Sequence, residues 1–135
     1  MSQYMEEARR EAVKSRCLRA HVGCVIVDDT TGEVVARGYN RTKPHMEPCD
    51  VDGCCMQEGH CIATEHAEEV ALNALGDEWG RFTLYVTHFP CVQCAVAILP
   101  DVRITRVVYG QDYHSNSAIR EVFDVLEGGI VEDAG

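Results

Sequence analysis

From residue 64 onward, helix-type and strand-type patterns alternate, and this alternation constrains the fold more than any other feature of the chain. Thr64 to Leu75 carries apolar residues at helical spacing (Ala67, Val70, Ala71, Ala74) and stops at Gly76. Phe82–Thr87 is a β-branched and aromatic run that reads as a strand. Pro90-Cys91-Val92-Gln93-Cys94 opens a helix that runs to Leu99 and stops before Pro100. Ile104–Tyr109 is the next strand, Ser117 to Leu126 the next helix, and Gly129–Val131 a short final strand. Strands separated by helices lie parallel, with the helices packed on the sheet. The first half differs. Ser2 to Arg19 reads as an amphipathic helix with Met5, Ala8 and Ala12 on one face. Val22–Asp28 and Val34–Tyr39 form a hairpin across the turn Asp28–Gly32. The expected fold is α/β, a three-layer α/β/α sandwich with a mixed five-stranded sheet. A length of 135 residues fits one domain, spanning 1–135.

Between the two halves, residues 40 to 63 have no hydrophobic period. They hold two prolines, two glycines, four cysteines and two histidines, and read as a long loop of the kind that carries function. The whole chain has eight cysteines and six histidines. Met1 to Arg19 has no apolar h-region, no apolar run approaches the roughly 18 residues of a membrane span, and the remainder reads as an ordinary cored domain. The expected setting is therefore a reducing cytoplasm without membrane attachment, where clustered thiols bind metal or react. With 12 basic and 22 acidic residues the formal charge is −10. Such a surface repels polyphosphate chains, so a polynucleotide partner is disfavoured, while a small anion in a local basic pocket is not.

Two short motifs carry chemistry. Cys91 and Cys94 are three apart at a helix start, so both thiols reach one ion, and the helix dipole there favours thiolates. His66 supplies a nitrogen ligand from the start of the preceding helix. A Cys2His set leaves a fourth tetrahedral position open, the pattern of a catalytic rather than a structural zinc site. Glu68 is two residues beyond His66, where a carboxylate beside a metal-activated water acts as a general base. Zinc deaminases of nucleobases carry this H-x-E…P-C-x-x-C signature, with the Glu as acid/base and not as ligand.

The chain resembles the deoxycytidylate (dCMP) deaminase family of the cytidine deaminase superfamily along nearly its whole length. The resemblance is carried by Arg19-Ala20-His21-Val22-Gly23-Cys24-Val25, by Gly38-Tyr39-Asn40, by Cys54, by Gly59-His60-Cys61-Ile62-Ala63-Thr64-Glu65-His66-Ala67-Glu68, and by Tyr85-Val86-Thr87-His88-Phe89-Pro90-Cys91. It implies a cytidine deaminase-like fold and hydrolysis of dCMP to dUMP and ammonia. His66, Cys91 and Cys94 would hold Zn2+. Glu68 would carry a proton from the attacking water to N3 of the cytosine and then assist the departing ammonia. The resemblance places Arg19, Asn40, Thr64, Tyr113, His114 and Ser115 around the substrate, with Asn40 on the deoxyribose 3′-hydroxyl. It further implies a homo-hexamer activated by dCTP and inhibited by dTTP with Mg2+, the effector lying near Asn40, Arg41, Lys43, His60 and Ile62.

Three departures fall on that pattern: Arg41 where the family has Gly, Val70 where it has Asn, and Ala63 where it commonly has Arg. They touch the effector response and not the deamination chemistry. Cys49, Cys54, His60 and Cys61 have the spacing for a second, structural zinc or for simple burial in a loop. Cys24, within an apolar strand, reads as packing, and so does Cys17. Two other functions fit the same motifs: deamination of a different cytosine or adenine substrate, and a zinc-stabilised binding module without catalysis. Such a module would have no use for Glu68 or for an open metal position.

Overall fold

The structure, a computed structural model, describes residues 2–16, 21–42, 56–57, 60–61, 64–112 and 117–133. Helix α1 (Gln3–Ala12) starts at Ser2, whose hydroxyl accepts the Met5 N–H at 3.1 Å. Met5, Ala8 and Ala12 form its buried face, as the spacing requires. The helix ends at Ala12, short of the expected Arg19. The good helix formers continue, but the chain must reverse to run β1 beneath the helix. α1 lies so close to that strand that a Cβ on Gly23 would fall on the Ala8 carbonyl.

Strands β1 (Gly23–Asp28), β2 (Val34–Tyr39), β3 (Phe82–His88), β4 (Ile104–Gln111) and β5 (Ile130–Glu132) form one sheet in the order β2-β1-β3-β4-β5. β1 is antiparallel to β2 and β3, while β3, β4 and β5 run parallel, so the sheet is mixed as expected. The hairpin turn is held by Asp28, whose Oδ1 accepts the Thr30 and Thr31 N–H groups, and by Gly32 at φ +75°. Alternate residues serve opposite faces. Cys24, Ile26, Leu84, Val86, Val107 and Tyr109 pack into one core, and Val25, Val27, Tyr85 and Val108 pack with Met5 and Ala8 of α1 in the other. Burial on both faces explains why these strands read as continuous apolar runs.

Helices α2 (Ala67–Leu75), α3 (Val92–Ile98) and α4 (Ser117–Val122) contribute to the first core and complete the three layers. α4 passes into a 3-10 turn, Phe123–Val125, instead of continuing as α-helix to Leu126. Thr64 and Glu65, expected in α2, instead pair antiparallel with Arg41 and Thr42, so tertiary pairing overrides their local preference. Met56–Gln57 pairs likewise with His60–Cys61, placing two-residue ladders in a stretch expected to be loop. The buried stripe of α2 is Ala67, Val70, Ala71 and Leu75, and Ala74 faces out. Cys24 is fully buried, and burial pushes its thiol pKa well up, as a packing cysteine requires. Among the described residues no helix is long and apolar enough to cross a membrane.

Arg103 ties the end of α2 to the start of β4. Its guanidinium donates to both Asp101 oxygens at 2.9 and 2.8 Å and to the Gly76 and Glu78 carbonyls at 2.9 and 2.6 Å. The Arg103 hydrogen bond holds the Asp101 carboxyl below its ordinary range. A carboxyl depressed on folding adds stability above its unfolded pKa of about 3.9 and loses it as pH falls through the lower folded value. Asp101→Asn should therefore cost about 1 kcal/mol at neutral pH. Denaturant melts of variant and wild type should converge as pH falls below the depressed folded value, and a gap that persists there would refute the ion-pair account.

Candidate metal centre

The two motifs meet at the N-terminal ends of α2 and α3. His66 is the N-cap of α2 and Cys91 the N-cap of α3, both in extended conformation, with Cys94 one turn further along. Their ligand atoms converge. Cys91 Sγ lies 3.6 Å from Cys94 Sγ and 3.7 Å from His66 Nδ1, and Cys94 Sγ is 3.2 Å from the same nitrogen. A tetrahedral zinc with bonds of about 2.3 Å to sulfur and about 2.0 Å to nitrogen sets edges of about 3.8 Å between sulfurs and about 3.5 Å between sulfur and nitrogen. The donor set therefore fits zinc, and among the described residues it is the group of His, Cys and carboxylates that can hold a metal ion.

The electrostatics agree. Cys91 is lowered to about 3 by a hydrogen bond from the Cys94 thiol and a further one from His66. Cys94 is raised by the proton it lends to Cys91 and by burial. His66 is raised, chiefly by its hydrogen bond to Cys91. A cation held among the three donors would take the place of the protons they share. Glu68, in the first turn of α2, is 3 % exposed; burial raises its pKa, with the neighbouring Cys94 and His66 pulling partly the other way.

Supporting contacts that the sequence pattern does not announce fix the ligands. Glu69 Oε1 accepts the His66 backbone N–H at 3.1 Å and the Gln93 side-chain amide at 3.3 Å, bracing α2 against α3 between the two cysteines. On β3, Thr87 Oγ1 accepts the Gly23 N–H at 3.1 Å and lies 2.7 Å from His88 Nδ1. Asn40 is buried, and its Oδ1 accepts the Val22 N–H at 2.9 Å, so it pins the start of β1. Arg41 is paired with Glu65 at 3.3 Å. Thr64 and His60 lie in the two-residue ladders opposite Thr42 and Gln57, with Cys61 opposite Met56. Arg19, Lys43, Ile62, Tyr113, His114, Ser115, Cys17, Cys49 and Cys54 lie outside the described residues.

A mixed sheet of this order, with a His, two Cys and a buried Glu at the helix starts on one face, defines a zinc-type deaminase scaffold. Residues 1–111 match the family described as "Cytidine and deoxycytidylate deaminase zinc-binding region", and the chain belongs to that family. It is 38% identical over 134 residues to a deoxycytidylate deaminase of Saccharomyces cerevisiae, covering 93% of this chain and 41% of the relative. It is 34% identical over 124 residues to ComE operon protein 2 of Bacillus subtilis, covering 90% of this chain and 64% of the relative. A tRNA-specific adenosine deaminase of Streptococcus pyogenes is 32% identical over 129 residues, 91% of this chain and 65% of the relative. The chain thus spans less than two thirds of the length of these curated relatives. The crystal structure of dCMP deaminase from the cyanophage S-TIM5 in complex with dCMP and dUMP superposes with a TM-score of 0.76 at 25% identity, over 98% of this chain and 99% of that one.

Proposed function

We propose that the chain hydrolyses dCMP to dUMP and ammonia. The observation that carries this reading is the buried carboxyl of Glu68 beside three convergent donors, with no fourth protein ligand among the described residues. His66, Cys91 and Cys94 would hold a zinc ion, which would supply the Lewis acidity that activates water near neutral pH. The remaining steps belong to the protein. Glu68 takes a proton from the water that attacks C4 of the cytosine and delivers it to N3. It then takes the proton of the new C4 hydroxyl and delivers it to the amino group, so that the C4–O bond becomes a carbonyl as the C4–N bond breaks and ammonia leaves. Its burial excludes competing water, and its raised pKa makes it a stronger base than a solvated carboxylate.

Within this reading Asn40 meets the deoxyribose, and Arg19, Thr64, Tyr113, His114 and Ser115 surround the nucleotide. Activation by dCTP, inhibition by dTTP with Mg2+ through Asn40, Arg41, Lys43, His60 and Ile62, a hexamer, a cytoplasmic setting and a second zinc at Cys49, Cys54, His60 and Cys61 rest on the resemblance alone. Likeness to tRNA-specific adenosine deaminases supports a second reading, which the charge of −10 opposes. The deciding experiment follows ammonia release by the zinc-loaded chain from dCMP, deoxycytidine, CMP, dCTP and tRNA in parallel. Release chiefly from dCMP is expected. None from dCMP refutes the proposal, and release from tRNA alone establishes the second reading. A flat response to dCTP, and to dTTP with magnesium, removes the regulatory part.

A further inference from the structure

An acidic chain that accepts a phosphorylated nucleoside needs a cation placed for it. Most cations with a described partner are spent on carboxylates: Arg10 on Glu7, Lys14 on Glu11, Arg37 on Glu7, Arg41 on Glu65 and Arg81 on Glu127. Arg120 on α4 is held differently. Its guanidinium carbon lies 5.0 Å from the Phe89 ring centre and 5.4 Å from that of Tyr109. The two rings pack edge to face at 5.0 Å. Nη2 donates to Tyr109 Oη and to Asp112 Oδ2, both at 2.7 Å. Nε and Nη1 have no partner among the described residues, and the side chain is 40% exposed.

The location matters as much as the geometry. Phe89 immediately precedes Pro90 and Cys91, and its N–H closes the β3–β4 ladder on the Gln111 carbonyl at 2.7 Å. Phe89 and Tyr109 belong to the same core as Cys94 and Ala67, with Cys91 packed against it. Arg120 thus sits at the C-terminal edge of two parallel strands, on the sheet face that carries the metal donors. Ligands of open α/β sheets bind at that edge. A guanidinium pressed on two rings and fixed along one side has lost its rotamer freedom before any ligand arrives, and keeps donors that no described residue takes up.

We propose that Arg120 receives the 5′-phosphate and thereby sets the preference for a nucleotide over the corresponding nucleoside; this assignment rests on the dCMP reading above. A residue that served only to clamp Phe89 against Tyr109 would affect both substrates alike. The test compares zinc-loaded wild type, Arg120→Gln and Arg120→Lys on dCMP and deoxycytidine, with zinc content measured in each. The ratio of kcat/KM for dCMP to that for deoxycytidine should fall about 10- to 100-fold in Arg120→Gln, mainly through KM, and less in Arg120→Lys. The Kd for dUMP, read by calorimetry without turnover, should rise by the same factor. An unchanged ratio, equal losses on both substrates, or loss of zinc in the variants overturns the assignment. So does a wild type that uses both substrates equally, which leaves the deaminase chemistry standing. No turnover of dCMP by wild type removes the functional reading and the assignment together, before any variant is made. If Arg120→Gln melts below the assay temperature, the substrate ratio of Arg120→Lys decides in its place.

Discussion

Glu68→Gln is expected to reduce dCMP turnover by about a thousandfold while leaving bound zinc unchanged, because general acid–base transfer by one positioned group contributes on the order of 10² to 10⁴. Glutamine keeps the shape of the side chain and one acceptor oxygen but cannot carry a proton between water, N3 and the amino group. The same substitution should not weaken the fold. Glu68 is 3 % exposed, and burial disfavours its charged form. A carboxyl raised on folding contributes its full stability below the unfolded pKa of about 4.3 and loses part of it as pH rises through the folded value. An uncharged isostere escapes that loss, so the metal-free variant should melt no lower than metal-free wild type at neutral pH. Activity loss with retained zinc and an undiminished Tm is a signature that a structural glutamate does not give. Turnover above a tenth of wild type, or departure of zinc, would show that Glu68 is not the proton carrier. A binding module without catalysis would show no turnover to lose.

The sheet and the metal donors are legible in the sequence for local reasons. Runs such as Val25-Ile26-Val27 and Leu84-Tyr85-Val86 are apolar on both faces and too short for helices, so their state is readable. Cys91 and Cys94 share a helix turn and need no tertiary knowledge to be paired. What is not legible is non-local. Glu69 follows Glu68 and reads as a solvated helix charge, yet it braces His66 against Gln93. Arg120 reads the same way until Phe89 and Tyr109, distant in sequence, are brought beneath it. The ends of α1 and α2 differ from the helical pattern because Lys14, Arg16 and Glu65 are good helix formers in the wrong place. Chain reversal at β1 and pairing with Arg41–Thr42 decide those boundaries instead.

Gly38→Ala is the second change with a large expected effect, and it links packing to the metal centre. Gly38 lies on β2 opposite Cys24, and α2 rests directly on it. A Cβ there would stand 2.5 Å from the Ala67 carbonyl oxygen and 2.6 Å from the Ala71 nitrogen. Both are backbone atoms of the helix, so no side-chain rotation relieves the clash and the helix must lift. Overpacking of this kind costs about 3 kcal/mol, at the upper end of its usual range. For a domain of this size that lowers Tm by roughly 10 °C. Ala67 lies between His66 and Glu68, so lifting the helix there carries both residues away from Cys91 and Cys94. Zinc affinity, measured by competition with a chromophoric chelator, should fall about 10-fold or more, as it does when supports of metal ligands are lost. Gly23→Ala provides the contrast. Its clash is with Ala8 and Ala12 of α1, on the face of the sheet away from the metal donors. It should destabilise the fold without a comparable loss of affinity in the molecules that remain folded. If Gly38→Ala lowered Tm but bound zinc as wild type does, the start of α2 would be held by the Glu69–Gln93 brace and not by its seat on the strand.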